Sequence, residues 1–272
     1  MNSDIPRKLW HFTSESGFEG IIKSQRLFVS SAISLNSQEE IEPGMRALRI
    51  ARDKILRSQQ MAHPILDYAW AEEQLYEGLK NLFILSTTKV VDSSFHWEHY
   101  ADSHRGIAIA LDTRAQFIES SGSNEIKLHA IPPVKNGWVK VEYNSKRQVE
   151  LAEAALIEGV KEHLQAPWGE YMGESFRRVL GTFIARAKFA SYQFEQEYRY
   201  IIGAYSTYKP KINELNGQEY MPLACFDSEN TWIRPLPLVA VRLGRHCLLE
   251  IKDVQAMLNA AGIEECDVSR VK

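Results

Sequence analysis

Residues 9–30, LWHFTSESGFEGIIKSQRLFVS, decide how the chain is read. Leu9, Trp10, His11 and Phe12 form a short apolar strand with a histidine inside it. Thr13 or Ser14 can N-cap a helix, and Glu15 and Glu19 fall early in it, where the positive end of the helix dipole favours acids. Phe18, Ile21 and Ile22 recur at i, i+3 and i+4, which gives the helix one apolar face. Residues 27–30 read as a second strand. In a two-layer fold such a strand–helix–strand unit holds His11 beside the mouth between two strands. His11 is therefore the first candidate ligand residue.

Outward from this unit, residues 31–43 are a polar loop, followed by predicted helices at about 45–59 and 65–80, a helical insert at about 44–80. Residues 81–87 have strand composition. A short helix is expected over 92–102 and a buried strand over 106–111, ended by Asp112. Residues 125–131 and 138–143 read as a strand pair joined by a turn at 132–137. A long helical region follows at about 145–192, broken near Pro167. Strands at 197–203, 219–225 and 238–243, a helix at about 249–261 and a strand near 266–269 complete the chain. Strands and helices mix without strict βαβ alternation, which argues for an α+β fold rather than a doubly wound sheet. No internal repeat or linker divides residues 1–272, so one domain is expected.

The 272 residues are 44% hydrophobic and 25% charged, ordinary globular values, and the net charge of −3 gives no global basic field for nucleic acid. Cys225, Cys247 and Cys266 form no C-x-x-C, which fits a reducing setting. No apolar run approaches the roughly 20 residues needed to span a bilayer. A soluble, cytoplasmic protein with no membrane partner is expected.

Two clusters carry chemistry. In SSFHWEHYAD, residues 93–102, His96 and Tyr100 lie at i, i+4 on a helix, and His96 and His99 at i, i+3. The histidines, with Glu98 or His104, could bind a transition metal. Helical zinc sites usually want i, i+4 histidines and a third ligand, however, and no second His/Cys/Asp cluster supplies one, so no metal is expected. Alternatively, Trp97 and Tyr100 stack on a planar ligand, or they simply pack the helix on the sheet. In FEQEYRY, residues 194–200, strand alternation puts Glu195, Glu197 and Arg199 on one face. Three charged residues on one face of an interior strand require a wet cleft or full pairing. An Arg199–carboxylate ion pair satisfies the second requirement; Glu197 facing a ligand hydroxyl, assisted by Glu195, satisfies the first. No G-x-S-x-G, Walker loop or G-x-G-x-x-G is present, which speaks against a serine-hydrolase elbow, a P-loop NTPase and a Rossmann dehydrogenase.

The opening L-W-H-F-T-S…G-F-x-x-I-I-K-S-x-x-L-F-V-S is similar to the first strand, helix and second strand of the ADP-ribosyltransferase superfamily. The later W-x-x-Y-A-D…G-I-A-I and F-E-x-E-Y-R resemble a widespread bacterial family with this overall pattern. The resemblance implies an ADP-ribosyltransferase-like mixed, split β-sheet with flanking helices. It implies NAD as substrate, with His11 on the NAD ribose and Thr13, Ser14 and Ser30 nearby. Tyr100 or Trp97 would stack the nicotinamide. Glu197 would bind the 2′-hydroxyl of the nicotinamide ribose, Glu195 would orient an acceptor, and Arg199 would lie in the same site. The chain departs from the pattern in its long insert at 31–80 and in lacking a G-x-Y-F-A-type strand to place the tyrosine. Bacterial enzymes of this sort often act as toxins or in defence against phage.

Three readings follow. The first is an NAD-using ADP-ribosyltransferase, a glycosyltransferase, or an NAD glycohydrolase. The second is a non-catalytic nucleotide- or nucleic-acid-binding module that meets a polyanion through Arg46, Arg49, Arg52 and Arg57 on the first insert helix. The third is a metal-dependent nuclease or hydrolase using His96, His99, Glu195 and Glu197.

Overall fold

The computed structural model describes residues 5–34, 38–58, 66, 76, 78–120, 137–165, 173–203, 209–214, 217–227 and 232–272. The opening unit forms as its pattern predicts: β1 (Lys8–Thr13), α1 (Glu15–Ser24) and β2 (Leu27–Ser31). Ser14 is the N-cap, its hydroxyl accepting from the Gly17 N–H at 3.0 Å, and Phe18, Ile21 and Ile22 are buried. Then come α2 (Gln38–Ser58), β3 (Leu82–Thr88), α3 (Ser94–Tyr100), β4 (Ile107–Asp112), β5 (Gln116–Glu119) and β6 (Gly137–Lys140). They are followed by α4 (Ser145–Gln165), α5 (Glu174–Ile184), a 3-10 helix (Ala190–Glu195) and β7 (Glu197–Gly203). The remainder is β8 (Lys211–Ile212), β9 (Glu219–Asp227), β10 (Trp232–Arg234), β11 (Leu238–Leu243), α6 (Ile251–Ala260) and β12 (Asp267–Arg270).

The fold is α+β, with an open mixed sheet in the order β10-β9-β2-β3-β1-β4-β11-β12. Strands β5 and β8 also pair with β9, and β7 lies between β3 and β6. The β11–β12 pairing is parallel, and the other strand pairings among the described residues are antiparallel. Strand β3 is the spine. One of its edges pairs with β7 along its whole length, from Leu82↔Gly203 to Thr88↔Glu197. Its other edge pairs with β2 near its start, at Phe83 and Ile84, and with β1 near its end, at Thr88. Between these two partners the sheet divides.

Strand alternation sorts the core into two faces. On one, Leu9, Leu85, Ile109, Tyr200 and Leu223 pack against Phe18, Ile21 and Ile22 of α1 and Val254 and Leu258 of α6. The other face carries two separate apolar patches. Ile84 and Ile201 pack under α2, α4 and α5, while Trp10, Phe12, Ala108 and Ala110 pack under Trp97 and Ala101 of α3. Glu197 and Arg199 fall by alternation on the Ile201 face of β7, and Ser86 and Thr88 on the Ile84 face of β3. The polar residues of these two strands thus occupy the interval between the two patches.

The structure corrects several expectations. Helix α2 begins at Gln38, with Pro43 inside it, rather than at residue 45. Burying Ile41 upstream of the proline, in line with Met45 and Leu48, is worth about 1.5–3 kcal/mol and works against the roughly 3 kcal/mol that an interior proline costs. The long helical region ends at Ile184 rather than near residue 192. There Ala187 makes a parallel bridge with Glu142, the Glu142 N–H bonding Arg186 O and the Lys188 N–H bonding Glu142 O, which draws the chain out of helix. Strands β5, β8 and β10 were not expected. The predicted strand at 125–131 and most of the helix at 65–80 lie outside the described residues, although residues 78–80 are helical. No described helix is long and apolar enough to cross a membrane.

Candidate functional site

A cavity of about 320 Å³ opens in the interval between the two apolar patches. Strand β1 lines it with Trp10, His11 and Phe12, β3 with Ser86, Thr87 and Thr88, and α3 with His96 and Tyr100. Glu40 of α2, Lys188, Glu195 of the 3-10 helix, and Glu197 and Arg199 of β7 complete the wall. His11 and Glu197, from opposite parts of the chain, therefore share one cavity.

Each charged group has defined partners. Arg199 grips Glu197 with two bonds, Nε to Oε1 at 2.7 Å and Nη2 to Oε2 at 3.2 Å. Its Nη2 also reaches Glu40 at 3.1 Å, and its Nη1 donates to Ala185 O at 2.6 Å. Lys188 Nζ lies 2.7 Å from Glu195, 2.9 Å from Glu197 and 3.4 Å from Glu40. The Tyr100 hydroxyl donates to Glu195 Oε1 at 2.8 Å. The Glu195 carbonyl accepts from Thr88 Oγ1 at 2.8 Å and His96 Nε2 at 3.2 Å, and Tyr143 OH accepts from the Glu197 N–H at 3.0 Å. Three carboxylates face two cations, leaving one excess negative charge in the cavity wall.

These contacts set protonation. Burial alone would raise the pKa of Glu197, but the charges and hydrogen bonds of Arg199 and Lys188 outweigh it and pull it down to about 2. Lys188 and Arg199 are likewise held cationic: burial opposes their charge and Glu197, foremost of the neighbouring acids, overcomes it. Burial and then the Glu195 charge push the Tyr100 hydroxyl well above the usual phenol range, so it stays a donor. Burial lowers the pKa of His11 against the opposing bond to Ser86. Its Nδ1 lies 3.0 Å from the Ser86 carbonyl, which can only accept. Nδ1 therefore carries the proton, and Nε2 is left as a bare acceptor. This bond also satisfies a β3 carbonyl in the gap where the sheet divides.

Of the residues proposed from sequence, the structure brings His11, Tyr100, Glu195, Glu197 and Arg199 together. Trp97, Thr13, Ser14 and Ser30 do not line the cavity. Trp97 is 1% exposed, whereas Tyr100 is 47% exposed and lines the cavity, so of these two rings only that of Tyr100 is accessible there. Its indole N–H donates to Val91 O at 2.7 Å, and its ring meets Phe12 edge-on at 5.0 Å. Ser14 is spent on the helix cap, and Ser30 is paired in the sheet between Ile84 and Tyr220. The two glutamates share the cavity for a different reason than strand alternation: Glu195 ends the 3-10 helix, and Gln196, at φ 44°, turns the chain into β7.

Glu40, Lys188 and Thr88 are members that sequence reasoning missed. Lys188 carries a weak signal, a lysine in the largely apolar run FIARAKFASY; Glu40 carries none. On α2, Arg49 pairs with Glu42 at 3.2 Å, Lys54 with Glu153 at 2.6 Å, and Arg52 Nε donates to Leu66 O at 3.2 Å, whereas Arg46 and Arg57 are exposed. Two of the four arginines named for polyanion contact thus have partners within the chain. Among the described residues no three His, Cys, Asp or Glu side chains converge on a point that could hold a metal. His99 stacks on Phe95 at the surface, while His96 is buried against Phe12.

Residues 96–200 match the family described as a protein of unknown function (DUF2971). The matched segment carries His96, Tyr100, Lys188, Glu195, Glu197 and Arg199 of the cavity wall, while His11, Glu40, Ser86, Thr87 and Thr88 lie outside it. No curated protein and no solved structure matches the chain.

Proposed function

We propose that the cavity binds the nicotinamide half of NAD and that the protein breaks its N-glycosidic bond, as an ADP-ribosyltransferase or an NAD glycohydrolase. The observation that carries this reading is the convergence of His11 from the first strand with Glu195 and Glu197 in one cavity of about 320 Å³. That volume is at the lower end of small-molecule sites, roughly 300–1,000 Å³, and suits a ring and a ribose rather than a whole dinucleotide.

Three features support the reading. The oxidised nicotinamide ring is planar and cationic, and the cavity offers it aromatic walls and one excess negative charge. Glycoside cleavage builds positive charge on the ribose, and a carboxylate held ionised by fixed cations stabilises such a charge without reorganising. The bare Nε2 of His11 is an acceptor for a ribose hydroxyl. In the reaction the bond between ribose C1′ and the ring nitrogen breaks with both electrons going to nitrogen, which releases neutral nicotinamide. Water or an acceptor nucleophile then bonds to C1′ and gives up a proton.

Incubating the purified protein with NAD and measuring free nicotinamide by chromatography tests the reading. Release is expected. No release, together with no heat of NAD binding by calorimetry, would overturn it. The toxin or phage-defence role that accompanies the resemblance predicts a fall in cellular NAD when the chain is expressed.

A further inference from the structure

Four of the charged groups close into a ring. Glu197 touches Lys188 and Arg199, and Glu40 touches the same two cations, at distances from 2.7 to 3.4 Å. Charges alternate around the ring and cancel. Glu195 hangs outside it, held by Lys188 at 2.7 Å and by the Tyr100 hydroxyl at 2.8 Å. Of the three carboxylates, Glu195 is thus the one outside the ring, and it shares Lys188 with it without touching Arg199.

Lone pairs tell the same story. A carboxylate offers about four acceptor sites. In Glu197, Oε1 takes Arg199 Nε, while Oε2 takes both Arg199 Nη2 and Lys188, which leaves one. In Glu195, Oε1 takes only Tyr100 and Oε2 only Lys188, which leaves two. Glu40 also keeps two, but both of its contacts, Lys188 at 3.4 Å and Arg199 at 3.1 Å, belong to the ring. The Glu195 main chain is pinned separately, through its carbonyl, by Thr88 and His96.

We infer that Glu195, rather than Glu197, is the carboxylate that meets the ligand, that Glu40, Glu197 and Arg199 are its frame, and that Lys188 is the positioning residue joining the two. This assignment rests on the proposed reading of the cavity and reverses the roles that the resemblance implies for the two glutamates.

The amides that replace these acids separate the roles. In Glu195→Gln the new amide keeps its oxygen toward Lys188 and turns its NH₂ to Tyr100, whose hydroxyl can accept. In Glu197→Gln the NH₂ must face an Arg199 or Lys188 donor inside the protein, whichever way the amide turns. Glu195→Gln is expected to melt within about 4 °C of wild type and Glu197→Gln roughly 6–20 °C lower. Lys188→Met leaves three acids against Arg199 alone and is expected to fall by a similar amount. Adding Glu195→Gln to Lys188→Met removes the orphaned charge and is expected to recover at least half of that loss, which a merely space-filling lysine would not allow. With NAD, Glu195→Gln is expected to lower kcat about 100- to 1,000-fold, with KM changed less than about threefold.

Equal melting losses in the two single glutamine variants, or a double variant that melts no higher than Lys188→Met, would overturn the assignment. So would a Glu195→Gln protein with wild-type kcat. A wild-type protein inert toward NAD would defeat the proposed function instead, and the melting pattern would still decide between frame and open carboxylate.

Discussion

Acidifying the protein should loosen it through Glu197 in a definable window. In the fold this carboxyl titrates at about 2, against an ordinary value of 4.5. As pH falls, the unfolded chain takes up the proton first, so the contribution is complete above about pH 4.5 and is lost on the way down to about pH 2. A fall of roughly 2.5 in pKa, at about 1.4 kcal/mol for each, gives a contribution of about 3 kcal/mol at neutral pH. Glu197 is 6% exposed, so solvent screens little of it. Other carboxylates also titrate in this range, Asp112 beside Arg114 among them. The measurement is therefore a difference: urea unfolding of wild type and Glu197→Gln at intervals from pH 7 to pH 2.5. The stability gap between the two should shrink by about 2.5 kcal/mol by pH 2.5, the remainder being lost only below that pH. A gap that stays constant from pH 5 to pH 2.5 would refute the claim that Arg199 and Lys188 hold this carboxylate ionised.

Three further outcomes are expected. Trp97→Ala should lower stability by about 3–5 kcal/mol in urea unfolding, because the indole fills the patch under α3 rather than the cavity. Gly244→Ala would drive its Cβ into the His104 carbonyl oxygen and to 2.9 Å from that of Gly106, two backbone atoms that cannot swing aside. A loss of 2 kcal/mol or more, on the order of other severe packing errors, should appear in the same assay. Tyr100→Phe removes a hydrogen bond to an ionised acid, and nicotinamide release should slow by roughly 10- to 100-fold while melting stays near that of wild type.

What could be read from the sequence was local. Residues 9–30 declare themselves because one cap, one apolar stripe and two short strands lie next to each other in the chain. Pro43 hides the start of α2, since the burial of Ile41 that works against it becomes visible only once α2 packs against α4 and α5. The sequence pattern predicts helix at Lys188 because nothing near it announces the bridge from Ala187 to Glu142. Trp97 and Tyr100 sit three residues apart on one short helix, and spacing alone does not say which of them turns inward. Phe12 decides it by packing perpendicular to the indole, at 5.0 Å between ring centres. Glu195 and Glu197 were legible as a pair, but the ring that distinguishes them needs Glu40 from far upstream.

The division of the sheet at β3 has a consequence for when the protein becomes competent. The edge of β3 that faces β7 stays unpaired until Gly203 has been synthesised, and Arg199 is the last wall residue to emerge. A chain cut short before Glu195 holds His11 and Tyr100 without either glutamate opposite them. Translation products that end before β7 should therefore be inert, and whatever chemistry the cavity performs begins only when the second edge of the spine is filled.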